Sequence, residues 1–177
     1  MSTHYGVDLK EPLLTQVDVV DDFLPPEVFF QVHKWFTHEC YWFYNPYVNK
    51  EGDHPDDFQF QHVFLLPDRG VVTDCMFALQ PFFERIPASE WIRVKANLRT
   101  KTDKVRVGGF HIDYEDCTTS IFYFNDNDGQ TSFESGGYVK SVSNRLITFP
   151  SNIRHSGSTC TNTKARFVLN LNYIPAN

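Results

Sequence analysis

The sequence predicts a mainly β chain with helices confined to its N-terminal part, on three observations. Short apolar runs follow one another quickly after residue 118, separated by turn-forming clusters. Two longer segments, 91–100 and 165–174, alternate apolar and polar residues. Apolar residues at helical spacing occur only before residue 90. Many short strands with frequent turns point to a sandwich or a barrel.

The elements follow in order. VDVVDDFLPPEVFFQVHKWFTHE gives a short strand near residues 17–21, then two prolines suited to a helix start. Val28, Phe29, Val32, Trp35 and Phe36 recur as one helical stripe. A second helix is predicted from Thr73, with Val72, Cys75, Met76, Leu79, Phe82 and Phe83 on one face and Pro81 kinking or dividing it. Between them lies NPYVNKEGDHPDDFQF, a long polar loop that suits a functional lid and a plain surface loop equally. FQFQHVFLL then reads as a strand.

In WIRVKANLRT, Ile92, Val94, Ala96 and Leu98 form one face, and Arg93, Lys95, Asn97 and Arg99 the other. One face packs on helices and the other looks into something wet. TTSIFYFN, GYVKSV, RLITF and ARFVLNLNYI are the later strands, with DNDG and SGG as turns of hairpins. The last strand opposes Phe167, Leu169, Leu171 and Tyr173 to Arg166, Val168, Asn170 and Asn172.

A chain of 177 residues fits one domain with a substantial core, and 17 Phe supply its bulk. A net charge of −6 argues against a generic nucleic-acid or anionic-membrane binder. No apolar run approaches the roughly 20 residues of a membrane helix, and the N-terminus lacks a signal-peptide pattern. Cys40, Cys75, Cys117 and Cys160 are single and widely spaced, which disfavours structural zinc and a disulfide framework. The expectation is a cytoplasmic protein with reduced thiols.

The segment GGFHIDYED carries the chemistry. In extended backbone His111 and Asp113 point to the same side, with Ile112 turned into a core. A third ligand on a later strand is available in SNIRHSGS, as His155. Two histidines and one carboxylate hold a metal from one side and leave positions open for a co-substrate and dioxygen, the facial triad of non-haem Fe(II) oxygenases. Eleven residues further on, Arg166 lies on the polar face of the last strand, where a guanidinium could clamp a carboxylate in a two-pronged contact.

The order HID, TSIFYFN, DGQTSF, NRLITF, RHSG and ARFVLNLNYI resembles the 2-oxoglutarate/Fe(II)-dependent dioxygenase superfamily, in its prolyl 4-hydroxylase-like branch. VVDDFLPPEVF resembles the strand-to-helix entry of that family. The resemblance covers about residues 17–174. It implies a double-stranded β-helix, a jelly-roll or cupin-like barrel. It divides a single domain over 1–177 into helical support (about 17–90) and barrel strands carrying the site (about 91–174). By carry-over, His111, Asp113 and His155 hold Fe(II), and Arg166 binds the far carboxylate of 2-oxoglutarate. Tyr123 supports the same carboxylate, Thr131 matches the hairpin threonine, and Asn97 sits near the keto-acid end. The implied reaction is hydroxylation of an unactivated C–H bond, with 2-oxoglutarate going to succinate and CO2. Gln130 replaces the second hairpin glycine, and Asn170 and Asn172 stand where relatives often carry bulkier residues, so substrate identity does not transfer.

The likeness favours a peptide or protein side chain as substrate, with the polar loops at 45–60 and 100–109 closing over it. A free amino acid, another small molecule, or a nucleic acid gripped by Arg93, Lys95, Arg99, Lys101 and Lys104 are alternatives, as is a non-catalytic cupin-like metal-binding domain. The remaining histidines, His4, His33, His38, His54 and His62, lack matching partners and read as surface or satisfied-core residues, and Cys117 and Cys160 as buried free thiols. DNDG does not fit an EF-hand, and no G-x-S-x-G elbow is present.

Overall fold

The computed structural model describes residues 4–48 and 56–176. His54 and the middle of the polar 45–60 loop lie outside them. The strands are β1 (Val7–Leu9), β2 (Asp18–Val20), β3 (Phe43–Asn45), β4 (Gln59–Leu66), β5 (Gly70–Val71) and β6 (Ala88–Thr100). They continue with β7 (Thr118–Tyr123), β8 (Gln130–Phe133), β9 (Gly137–Lys140), β10 (Arg145–Pro150), β11 (His155–Gly157) and β12 (Ala165–Pro175).

Helix α1 (Pro26–Lys34) begins where the two prolines place it, with Pro25 as its cap, and runs into a π turn over Trp35–Glu39. The second expected helix is much reduced. A 3-10 turn, Met76–Leu79, leads into the four-residue α2 (Gln80–Phe83), and Pro81 falls in its first turn, where a missing N–H costs nothing.

All ladders are antiparallel and form two sheets. The larger runs β2-β10-β7-β12-β6-β4-β3, with β5 beside β4; the smaller runs β1-β9-β8-β11. Period-two alternation divides the larger sheet into two buried faces. Phe64, Val94, Ala96, Phe122, Phe124, Leu169 and Leu171 pack on Leu24, Val32, Phe36 and Phe82 of the helical side. Ile121, Tyr123, Ile147, Phe149 and Val168 face Phe133 and Val139 of the smaller sheet. Val168, grouped by alternation with polar residues, is therefore a core residue of this second layer.

The expected double-stranded β-helix, a closed jelly-roll or cupin-like barrel, does not form. Closure requires a ladder that returns on itself. Both sheets here are open, and no ladder joins one to the other among the described residues. The edge strands β1, β2, β3 and β11 are only three residues long, too short to carry pairing round a corner. The outer edge of β11 meets residues 107–111 through two single bridges, Val107 with Ser158 and His111 with His155. The fold is strand-dominated with short helices, and the sheets are held together by side chains. DNDG is likewise no hairpin: it carries the chain from β7 in one sheet to β8 in the other, whereas SGG does close the β8–β9 hairpin with Gly136 and Gly137 at positive φ.

Two polar ties fix the helical side to the larger sheet. Asn144, at φ 60°, accepts from the Leu24 N–H at 2.9 Å and donates to its carbonyl at 2.7 Å. Arg145 is buried and forks onto Asp21 at 2.5 and 3.0 Å, and that contact holds the Asp21 carboxyl below the usual range.

Phe122 is fully buried, with its ring 5.0 Å from that of Phe82 and 5.1 Å from that of Phe124. Phe122→Ala should lower unfolding free energy by about 3–5 kcal/mol in urea denaturation; a loss under about 1 kcal/mol would mean the site collapses freely.

Candidate metal centre

His111 and His155 face each other as a two-way backbone pair: the His111 N–H donates to the His155 carbonyl at 3.0 Å and the return bond is 2.9 Å. Directly opposed residues send their side chains to the same side, and the two imidazole centroids lie 4.8 Å apart. Asp113 follows two positions on, its N–H on the Ser151 carbonyl at 3.1 Å. The Nε2 of His111 stands 3.8 Å from one Asp113 oxygen, and that of His155 stands 3.9 Å from the other. One donor atom from each of the three residues falls within 4.8 Å of the others, the arrangement of a group that could hold a metal ion.

Hydrogen bonding sets the tautomers. His155 Nδ1 lies 3.0 Å from the Ile153 carbonyl and His111 Nδ1 lies 3.3 Å from the Gly109 carbonyl. A carbonyl only accepts, so Nδ1 carries the proton in both rings and the Nε2 lone pairs are directed at Asp113. Burial, foremost, holds both imidazoles below their ordinary pKa and so in the neutral form.

Asp113 is clamped through both oxygens. Arg93 Nη2 donates to Oδ1 at 2.6 Å, while Asn172 and Thr119 donate to Oδ2 at 2.9 and 3.1 Å. Arg93 Nε also donates to Asn172 Oδ1 at 2.9 Å, which closes the network. Burial opposes ionisation here, but the Arg93 guanidinium and the Asn172 hydrogen bond outweigh it and hold the carboxyl far below the usual carboxylate range. The donor set is thus two neutral imidazoles and one ionised carboxylate, open on the pocket side. That set fits a divalent iron.

The face of β6 and β12 that carries this clamp continues in register as the pairs Lys95–Asn170, Asn97–Val168 and Arg99–Arg166. These residues share one pocket with His111 and His155. Like charges directly opposed on a ladder repel, yet Arg99 and Arg166 are only 4% and 3% exposed. Arg99 is neutralised by Asp57 at 3.0 Å. Arg166 has no carboxylate within ion-pair distance among the described residues.

Neutral contacts hold Arg166 in place. It donates to Ser141 Oγ at 2.6 Å and Thr131 Oγ1 at 3.3 Å, with its guanidinium 5.4 Å from the Tyr123 ring centre. Tyr123, kept neutral by burial, donates to Thr131 at 2.8 Å. Two glycines give it room: a Cβ at Gly129 would come within 2.7 Å of Arg166 Cδ, and one at Gly157 within 3.3 Å of Nη1.

Five of the seven residues singled out in the sequence line this pocket, and Asp113 and Tyr123 adjoin it through the histidines and Thr131. His111, Asp113 and His155 form one cluster; Arg166, Tyr123 and Thr131 form another; Asn97 lies in the same pocket, its Oδ1 buried without a partner. Sequence reasoning missed the Arg93–Asn172–Thr119 clamp and the Asp57 partner of Arg99. It grouped Arg93, Lys95 and Arg99 as a basic strand face; two of them are instead spent on buried acids. The available signal was the cross-strand pairing of two alternating segments, which needs the register. His62 is a satisfied core histidine, bonded to the Tyr41 carbonyl at 2.8 Å and Thr73 at 3.0 Å. Cys160 is buried, Cys117 is half-buried beside Ser151, and neither joins the cluster.

No protein-family model matches the sequence, and neither does any curated protein sequence. Solved structures do match in fold. An oxidoreductase of the 2OG-Fe(II) oxygenase family from Burkholderia pseudomallei superposes with TM-score 0.67 at 10% identity, over 92% of this chain and 87% of that one. A prolyl-4-hydroxylase from Pseudomonas putida gives 0.57 at 14% identity, over 91% and 93%. A prolyl hydroxylase from Trichoplax adhaerens, solved with a peptide fragment of the hypoxia inducible factor oxygen degradation domain, gives 0.58 at 13%, over 90% and 84%. The chain shares its overall fold with these solved structures and carries a His-His-Asp cluster that could hold a metal ion.

The depressed Asp113 pKa makes the clamp a pH-dependent source of stability. Its contribution is full above the unfolded carboxylate value of about 4 and is lost as pH falls toward the folded value. Arg93→Met should therefore destabilise the metal-free protein at pH 7, and its deficit against wild type should shrink steadily below about pH 4 in urea denaturation. A deficit that stays constant across that range would mean that Arg93 acts only by packing.

Proposed function

We propose that the chain is an Fe(II)- and 2-oxoglutarate-dependent dioxygenase that hydroxylates an unactivated C–H bond, most simply of a peptide or protein side chain, with release of succinate and CO2. The observation that carries this reading is Arg166, a buried guanidinium without an acid partner among the described residues, in the same pocket as a three-donor metal cluster. A buried cation demands an anion. Successive same-side residues of a strand lie about 7 Å apart, and Gly157, against which Arg166 rests, is two positions from His155. A five-carbon diacid chelating at one end spans such a gap.

In this reading His111, His155 and Asp113 would hold an Fe(II) ion. Bound iron supplies the oxidising chemistry. The Ile153 and Gly109 carbonyls keep the imidazoles aimed, and Arg93 with Asn172 and Thr119 keeps Asp113 from turning away. Arg166 holds the far carboxylate over Thr131 and Tyr123, and Asn97 lines the stretch between. Buried walls from Ile121 and Val168 exclude water from the reacting end.

The peptide assignment is supported by the likeness to prolyl hydroxylases, one of them solved with a peptide. Nucleic acid is less favoured, because Arg93 and Arg99 are engaged with Asp113 and Asp57 rather than presented to solvent. The whole of 1–177 acts as one oxygenase domain in this account. No helix among the described residues is long and apolar enough to cross a membrane, and all four cysteines are free, which suits work in the cytoplasm.

Fe(II)- and 2-oxoglutarate-dependent succinate release should disappear in His111→Ala and Asp113→Ala while the circular dichroism spectrum is retained. Persistent release would remove the triad from the reaction. Arg166→Met should raise the 2-oxoglutarate concentration required by about tenfold or more, the scale of a charge-assisted bond; an unchanged requirement would point to a different co-substrate.

A further inference from the structure

The pocket holds a cation to which the reading above gives no role. Lys95 stands two positions from Arg93 on β6, so its side chain leaves the sheet on the same face as Arg93, Asn97 and Arg99. Its partner across the ladder is Asn170, and both line the pocket with His111 and His155. Arg93 is spent on Asp113 at 2.6 Å and Arg99 on Asp57 at 3.0 Å. No carboxylate lies within ion-pair distance of the Lys95 ammonium among the described residues.

Lys95 is half-buried, so its strongly hydrated ammonium keeps only part of its water in this pocket. Burial, chiefly, pulls its pKa down to about 8, with Arg93 adding to the effect and Asp113 opposing it. The two amides flanking it on this face, Asn97 and Asn170, each keep Oδ1 buried with no hydrogen-bond partner. Native interiors rarely leave several polar groups unmatched side by side unless something polar completes them.

Position separates Lys95 from the Arg166 subsite. Arg93, two residues before it, touches Asp113; Arg99, four residues beyond it, pairs with Arg166. Lys95 thus sits toward the metal end. Drawing on the dioxygenase reading only for what occupies Arg166, we propose that Lys95, with Asn170 beside it, is a second carboxylate-binding point in this pocket, at its metal end. The carboxylate comes either from the oxo-acid end of the co-substrate or from the primary substrate, which would then be an acidic molecule or side chain.

Calorimetric titration of the full chain loaded with Mn(II), without oxygen, tests this. The probes are 2-oxoglutarate, 2-oxopentanoate (which lacks the far carboxylate) and, after saturation with 2-oxoglutarate, N-acetylaspartate. Lys95→Met should lose about tenfold or more in affinity, and Lys95→Arg should recover part of it. Loss for both 2-oxo acids assigns the carboxylate to the co-substrate, and loss confined to N-acetylaspartate assigns it to the primary substrate. Equal affinities of wild type and Lys95→Met for all three probes, with both proteins folded by melting temperature, would overturn the proposal. Arg166→Met serves as the control on the underlying reading, since it should weaken 2-oxoglutarate and spare 2-oxopentanoate. Failure of that selectivity would remove the dioxygenase assignment yet leave Lys95 standing wherever Lys95→Met still weakens a probe.

Discussion

The site depends on one backbone register, the two-way hydrogen-bonded pairing of His111 with His155. Strand side chains alternate, so a slip of one residue would turn one imidazole to the opposite face and dissolve the cluster. The register is held with little regular structure around it. His111 belongs to no strand, and β11 is three residues long, secured on its inner side by pairing with β8. The Gly108 N–H on the Gly157 carbonyl and the Asp113 N–H on the Ser151 carbonyl extend the alignment beyond the histidines on both sides. A chain that passes the edge of a short strand in single bridges is thereby fixed well enough to place three donors.

A second constraint is the division of labour between the two faces of the larger sheet. Its helical side is aromatic and dry, and it supplies the bulk of the burial through Phe36, Phe64, Phe82, Phe122 and Phe124. Its other face is shared between an apolar floor and a row of basic and amide side chains from β6 and β12. Gathering four basic residues on one strand pair, Arg99 and Arg166 buried and Arg93 and Lys95 half-buried, is costly without counter-charges. Asp113 answers Arg93 and Asp57 answers Arg99. Arg166 and Lys95 are left with none among the described residues, and that imbalance sets this pocket apart from a fully paired ion network.

The sequence told more about which side chains gather than about the architecture. Arg166 was readable on the last strand by period-two alternation, whereas His111 and Asp113 come together without the expected strand, His111 in a single bridge and Asp113 in a bend. Long strands such as β6 and β12 were readable by the same alternation. β1, β3 and β5 were not, since two or three residues cannot display a period. Closure into a barrel was wrongly anticipated from strand number and family likeness, because pairing between distant edges leaves no local mark. DNDG has hairpin chemistry yet bridges two sheets, its Asn127 and Asp128 engaged with Gly129 and Thr161 instead. Arg93, Lys95 and Arg99 looked like a solvated face until register placed Asn172, Asn170 and Arg166 opposite them.

The most direct measurement is a crystal structure of the protein grown with Mn(II) and 2-oxoglutarate without oxygen. The account predicts one metal ion bonded to His111 Nε2, His155 Nε2 and an Asp113 oxygen at about 2.0–2.3 Å, a distance usual for such ligands, with the far carboxylate of the diacid seated on Arg166. A metal bound elsewhere, or a diacid that leaves Arg166 untouched, would contradict it.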